Sequence, residues 1–315
     1  MERRRKKRYR FTKRFRNICI FLFAALFLFV GWRVLEAKNV SHPNSANPNT
    51  ANQSAISVPD GYKTVTMTKS DVHTGNLILV NPEYAYQVNE NDDLESIYSN
   101  KNSAYKVKDT NVLLNKNVIT NLNDMMAEFG RIKSNYSVNI VSGYRTEEKQ
   151  QRLLDDEIAN NGETEAATWV AKPGFSEHHS GLAFDLGLYF NDGTSALFDG
   201  SDVYAWIPEN CWKYGFVVRY PESKKAITKI SYEPWHLRYV GAPHAYIMNE
   251  NGFCFEEYID FIRDYPFDGE HLAVTANDKN YKIYFTAETD VPVPEKGDFE
   301  ISGNNVDGFI VTVEE

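Results

Sequence analysis

The chain has 315 residues with 34 basic and 43 acidic side chains, a formal net charge of −9, 42% hydrophobic and 14% aromatic residues. That composition supplies a packed core and excludes a disordered chain. The net acidity argues against nucleic acid as a partner, and the length fits one large domain or two ordinary ones.

The average conceals a split. Residues 1–17 hold ten Lys/Arg against the single acid Glu2, a local +9, so the chain's −9 leaves −18 on the other 298 residues. Sixteen uncharged, largely apolar residues follow, from Asn17 to Trp32. As a helix they rise about 24 Å, and snorkelling by Arg33 brings Val34 and Leu35 into a span over 18–35. The expectation is a basic cytoplasmic tail (1–17), a transmembrane signal anchor (18–35) and everything beyond it outside a bacterial cell, single-pass, by the positive-inside rule. A cleaved signal peptide is the alternative, but Ala37 has Leu35 at −3, a poor cleavage context. Residues 36–60, rich in Asn, Ser, Ala and Pro, read as a flexible linker.

Folded structure is expected from Gly61. Thr64–Thr68 and Asn76–Val80 read as short strands, and 85–112 as a long surface loop. The spacing of Val118, Leu122, Met125, Met126 and Phe129 predicts a helix over 116–133. Val138–Val141 is a β-branched strand running into Ser142-Gly143-Tyr144-Arg145, and Thr146 starts a second helix. Leu182–Leu188 alternates: Leu182, Phe184, Leu186 and Leu188 face one side, and Ala183, Asp185 and Gly187 the other. A helix over 203–213, a strand over 236–240 and helices near 243–249 and 254–264 follow. In the tail, 281–287 and 309–313 read as strands around a turn at Val306-Asp307-Gly308. The fold class is α+β, a small, largely antiparallel sheet flanked by helices. A domain over 61–266 carries a β-rich appendage over 267–315 and is expected to be monomeric. Cys211 and Cys254, both expected outside the cell, fit either a disulfide or two buried free thiols.

Seven histidines are present. His42 lies in the linker, and His73, His244 and His271 have no partner at a ligand-like spacing. The other three stand in two blocks, Ser176-Glu177-His178-His179-Ser180-Gly181-Leu182-Ala183-Phe184-Asp185 and Glu233-Pro234-Trp235-His236. Asp185 between Ala183 and Gly187 has open space before it, although alone it reads equally as a solvent-facing strand residue. Pro234 argues against a helix here, and a turn or strand can still bring a Glu and a His three apart to one site. Two His and one Asp with a Glu to spare is the composition of a catalytic zinc site: three ligands, an open position for water and a base.

The pattern S-x-H-x-x-G-x-A-x-D, followed some fifty residues later by E-x-W-H and preceded by SGYR, resembles the VanY-type zinc D-alanyl-D-alanine carboxypeptidases, bacterial metallopeptidases that act on peptidoglycan. The resemblance covers about residues 60–265. It implies a central cleft with one zinc ion held by His178, Asp185 and His236. It further implies Glu233 as the base that activates water and protonates the leaving amine, and Arg145 directed at the scissile carbonyl. Ser176 would support the site, with Tyr144 and Trp235 beside it; His179 falls outside the motif, and Gln150 reads as a packing residue. The implied reaction removes the terminal D-Ala of a peptidoglycan stem peptide. The same scaffold also admits an L,D-carboxypeptidase, an endopeptidase or a non-catalytic wall-binding module. An intact Glu233 beside His236 argues against the last.

Overall fold

The computed structural model describes residues 58–87 and 93–315. The basic tail, the anchor and most of the linker lie outside the described residues, and among those described no helix is long and apolar enough to cross a membrane. The described residues form one compact unit.

The strands, in chain order, are β1 (Tyr62–Thr66), β2 (Leu94–Ser96), β3 (Lys106–Val107), β4 (Leu113–Asn115), β5 (Val138–Ser142), β6 (Ala183–Tyr189), β7 (Ser195–Leu197), β8 (Phe216–Val218), β9 (His236–Tyr239), β10 (Leu272–Ala276), β11 (Lys279–Thr286), β12 (Asp290–Pro294), β13 (Asp298–Gly303) and β14 (Phe309–Glu314). The longer helices are α1 (Lys116–Lys133), α2 (Glu147–Asn161), α3 (Ala242–Asn251) and α4 (Phe255–Ile262). The main sheet has the order β3-β5-β6-β9-β8, with β7 also on β6. Only β3–β5 is parallel among its pairs, so the largely antiparallel sheet between helices is as expected.

Helix α1 forms where expected because its apolar residues recur every three or four positions. Val118, Leu122, Met125, Met126 and Phe129 are fully buried. The Asn115 side chain caps it by accepting from the Asn117 N–H, and Ser134 closes it in the left-handed region. This stripe packs on Val138, Ile140, Leu186 and Leu188 of the main sheet. A second cluster joins α3 and α4 to Ile283 of β11 and Ile310 of β14. The tail forms a four-stranded antiparallel sheet, β10-β11-β14-β13, while β12 pairs with β1 from the start of the unit.

Three local expectations are corrected. Asn76–Leu77 is a turn and Ile78–Val80 is irregular: Leu77–Val80 is buried, but the segment is no strand. The Arg238 guanidinium takes the carbonyls of Asn76 and Ile78, and Leu77 N–H donates to Ser302 Oγ, so side chains replace a ladder. The 85–112 stretch is not one loop: it carries β2, a helical turn over Ile97–Asn100 and β3. The helix over 203–213 breaks into a 3₁₀ turn (Asp202–Ala205), a short α segment (Trp206–Asn210) and another 3₁₀ turn (Cys211–Tyr214). Pro208 lacks an N–H and its ring crowds the carbonyl four residues back, which disfavours a continuous α-helix.

The disulfide alternative is also overturned: Cys211 and Cys254 are both free and buried. Cys211 packs in the α1 core with its S–H towards Pro208 O, whereas Cys254 caps α4, its N–H held by Glu257.

Candidate active site

Cross-strand register assembles the site. On β5, β6 and β9, Ser142 stands opposite Asp185 and Asp185 opposite His236. Such neighbours have Cβ atoms about 5 Å apart, so residues distant in sequence become adjacent. His178 arrives from the 3₁₀ turn Glu177–Ser180, which ends at Gly181 with φ +69°, a left-handed position that suits glycine. Gly143 passes close to the chain, and a Cβ there would collide with Leu113 O. Its own carbonyl holds His178 Nδ1 at 2.7 Å.

Donor atoms of His178, Asp185 and His236 lie within 4.8 Å of one another. Because His178 Nδ1 donates to Gly143, its Nε2 is left as the lone-pair donor, 3.2 Å from Asp185 Oδ2. Burial, then repulsion from Arg145, pushes the His178 pKa down to about 4, which keeps that lone pair free. His236 presents the other ring atom: Nδ1 lies 3.0 Å from Asp185 Oδ1. Burial opposes charge on Asp185, yet the two histidines hold it well below the usual carboxylate range. Two imidazoles and a carboxylate, converging with ligand atoms within 4.8 Å of one another, fit a divalent transition metal of the zinc type.

Glu233 enters from a turn in which the His236 N–H bonds to Glu233 O, and its Oε2 is 3.9 Å from His236 Nδ1. Burial raises its pKa to about 8 against the pull of His236. Arg145 is pinned at three points: Nη1 donates to Gln150 Oε1 (2.9 Å), and Nη2 to Ser142 Oγ (2.8 Å) and Asp185 Oδ2 (3.3 Å). Its buried Nε has no hydrogen-bond partner. Gln150 is therefore more than packing, since its other end is tied to Ala171 O and it fixes the guanidinium.

These groups share a cleft of about 320 Å³, which Ser176 and Trp235 also line. Trp235 stacks on Trp169 at its wall, ring centres 6.3 Å apart. Tyr144 is not among the lining residues. Its backbone N–H bonds to Leu113 O and aligns the loop. His179 stands apart as expected: Nδ1 donates to Arg145 O at 2.6 Å and Nε2 accepts from Gly174 N–H at 3.1 Å. Both nitrogens are spent on the backbone.

Sequence reading missed Glu177. Its Oε2 lies 3.3 Å from His236 Nε2, the ring atom turned away from the ligand cluster. Its Oε1 accepts from Arg219 Nε (2.7 Å) and Arg238 Nη1 (2.9 Å), and Arg219 reaches Glu256 through both terminal nitrogens. Burial disfavours the Glu177 charge, but the two guanidiniums hold its carboxyl far below the ordinary range. A carboxylate on the outer nitrogen fixes the tautomer and orientation of a ligating imidazole. Tyr220, whose ring centre is 5.0 Å from that of His236, was missed as well.

Fold and site together have the makings of a metallopeptidase: two histidines and an aspartate converge in one cleft, with a glutamate beside them. Residues 111–242 match the VanY family, D-alanyl-D-alanine carboxypeptidase. The chain is 35% identical over 255 residues to the D-alanyl-D-alanine carboxypeptidase of Enterococcus faecium, spanning 79% of this chain and 78% of the relative. It is 32% identical to that of Enterococcus faecalis strain V583, over 76% of this chain and 88% of the relative. Among solved structures, the vancomycin-resistance D,D-dipeptidase VanXYg in complex with a D-Ala-D-Ala phosphinate analogue superposes with a TM-score of 0.72 at 36% identity, covering 81% of this chain and 99% of that one. The chain belongs to the VanY family of D-alanyl-D-alanine carboxypeptidases.

Proposed function

We propose that this enzyme is a zinc-dependent D,D-carboxypeptidase that removes the terminal D-Ala from peptidoglycan stem peptides. The observation that carries the reading is the convergence of His178, Asp185 and His236, with ligand atoms within 4.8 Å and Glu233 against His236. One zinc ion, when bound there, supplies Lewis acidity to the scissile carbonyl and makes water more acidic. Glu233 takes the proton of the attacking water and returns it to the amino group of the departing D-Ala. Arg145, which lines the cleft, supplies a fixed positive charge beside the carbonyl oxygen, where negative charge develops. Gln150, Ser142 and His179 keep the arginine in that pose. Glu177 holds His236 from behind.

The test is mass spectrometry of a stem pentapeptide ending in D-Ala-D-Ala, its C-terminal amide and its L-terminal isomer. Only the free D-acid should lose a single residue. Cleavage of the amide at an internal bond would instead make the enzyme an endopeptidase. Removal of D-Ala from the tetrapeptide alone would make it an L,D-carboxypeptidase. The likeness to VanXYg favours a second reading, hydrolysis of the free D-Ala-D-Ala dipeptide; appearance of free D-Ala from that dipeptide decides it.

The anchor reading extends the proposal: the catalytic unit is displayed outside the cell membrane on the 36–60 linker, supported by the charge step between residues 1–17 and the rest. Protease added to intact cells should release the domain by cutting within 38–60. A secreted product starting near residue 38 would show a cleaved signal instead.

A further inference from the structure

The two faces of the main sheet differ. Ile140, Leu186 and Leu188 point into the α1 core, whereas Asn139, Val141, Gly187 and Tyr189 lie on the opposite face. A groove of about 990 Å³ runs over that second face, lined by Tyr98, Lys101, Lys106, Lys108, Tyr189 and Leu197 among others. Its floor is held flat by Gly187, where a Cβ would meet Val141 Cγ1 at 2.7 Å. Its rim is apolar and exposed: Leu197 is 86% accessible, Tyr98 54% and Tyr189 43%. Single exposed apolar residues are ordinary, but three around one groove are not.

The charge of the groove is equally out of place. Beyond its first 17 residues this chain is strongly acidic, yet three lysines meet here. Lys101 Nζ donates to the carbonyls of Asn102 and Tyr105, and Lys106 Nζ to that of Tyr189. Among the described residues no carboxylate forms an ion pair with Lys101, Lys106 or Lys108. Burial, then Arg145 and Lys108, lower the Lys149 pKa, partly offset by Asp109. Asp185, Gly187 and Tyr189 share one face of β6, which places Tyr189 about 13 Å along the strand from the ligand Asp185.

We infer that this groove docks the uncut cell-wall polymer beyond the reacting end of the stem peptide: a glycopeptide whose carboxylates pair with Lys101, Lys108 and the Lys106 ammonium that lies over the Tyr189 ring, 4.8 Å from its centre, and whose sugar faces lie on the exposed Tyr98. The inference rests on the peptidoglycan reading above. A polyanion would otherwise be repelled by the acidic domain, and the groove is lysine-lined and lies on the same strand, β6, as the ligand Asp185. Tyrosine rings suit the apolar faces of sugars, and clustered ammonium groups suit carboxylates spaced along a polymer. The small peptide end needs only the cleft, so the groove acts on the polymeric substrate alone.

The test uses full-length protein, purified insoluble sacculi and a soluble stem pentapeptide. Lys101→Gln with Lys106→Gln should weaken co-sedimentation with sacculi by roughly tenfold, with the loss growing at low salt, where paired charges count most. Leu197→Asp, at a position too exposed to unfold the sheet, should do the same. Both variants should keep kcat/KM on the soluble pentapeptide within about twofold while losing roughly tenfold on sacculi. Sacculus binding within twofold of wild type in both variants overturns the proposal. So does an equal loss on the soluble peptide, and so does a loss confined to binding of anionic phosphatidylglycerol vesicles. Should the wild-type protein cleave no pentapeptide, the carboxypeptidase reading fails, while sedimentation, which needs no turnover, still decides the groove.

Discussion

The cleft and the C-terminal sheet are built on opposite principles. Around the cleft, Glu177, His178, His236, Arg219 and Arg238 are all at most 4% exposed, charged or chargeable, and carried largely on turns and short strands. In the sheet β10-β11-β14-β13, the fully buried residues are Ile283, Tyr284, Phe309, Ile310 and Val311, on regular antiparallel strands. Buried ion pairs carry a desolvation penalty that their attraction often barely offsets, whereas buried apolar area stabilises directly. The difference teaches a division of labour. The sheet and the helices α3 and α4 packed on it supply stability, and that stability lets the cleft hold an arrangement chosen for binding a cation and moving a proton.

Substitutions can break or sharpen this division. The largest effect belongs to the ligand cluster: His178→Ala, Asp185→Ala and His236→Ala should each empty the metal site and reduce D-Ala release to background, as metal analysis and peptide mass spectrometry will show. His179→Ala is the contrast, one residue away, and should retain its metal because both ring nitrogens serve the backbone. A His179→Ala protein without metal would mean that the ligand register is wrong. Next comes Glu233→Gln, expected to keep metal but lose ~10²–10⁴-fold in turnover, the usual contribution of a positioned base. Near-normal turnover would remove Glu233 from the mechanism.

On the other side of the comparison, Phe309→Ala should cost ~3–5 kcal/mol of stability in denaturant unfolding, with metal content unchanged in the protein that remains folded. A loss of metal without a loss of stability would dissolve the division. The smallest effect tests the seam between the regions. Glu177→Gln should weaken metal affinity by ~10–100-fold in a chelator competition. Glu256→Gln, which also loosens Arg219 but never touches His236, should lower thermal stability and leave metal affinity intact. Equal affinities in the two variants would make Glu177 a purely structural ion partner.

Legibility in the sequence follows the same line. The stripe of α1 and the alternation of Leu182–Leu188 report their own burial, because period and partner lie in the same element. The ligand residues stood out because His178 and Asp185 fall in one block, and Glu233 and His236 in another. Glu177 was hidden in plain view beside His178: its meaning depends on Arg219 and Arg238, 42 and 61 residues away, and no local pattern announces such a pairing. Gln150 read as packing because its bond to Arg145 requires the bend between β5 and α2. Asn76–Val80 has the composition of a strand, but Arg238 and Ser302, not a neighbouring strand, take up its backbone. The pairing of β1 with β12, some 228 residues apart, was equally invisible. Cys211 and Cys254 were ambiguous by count alone, and their separate settings resolve them as thiols.

The central claim, that His178, Asp185 and His236 form one functional metal site, is tested most directly by adding zinc to chelator-stripped enzyme while following D-Ala release from the pentapeptide. Activity should rise from background in proportion to zinc and reach its plateau at one ion per chain. Full activity in the stripped protein, or a site filled with zinc that releases no D-Ala, would contradict the account.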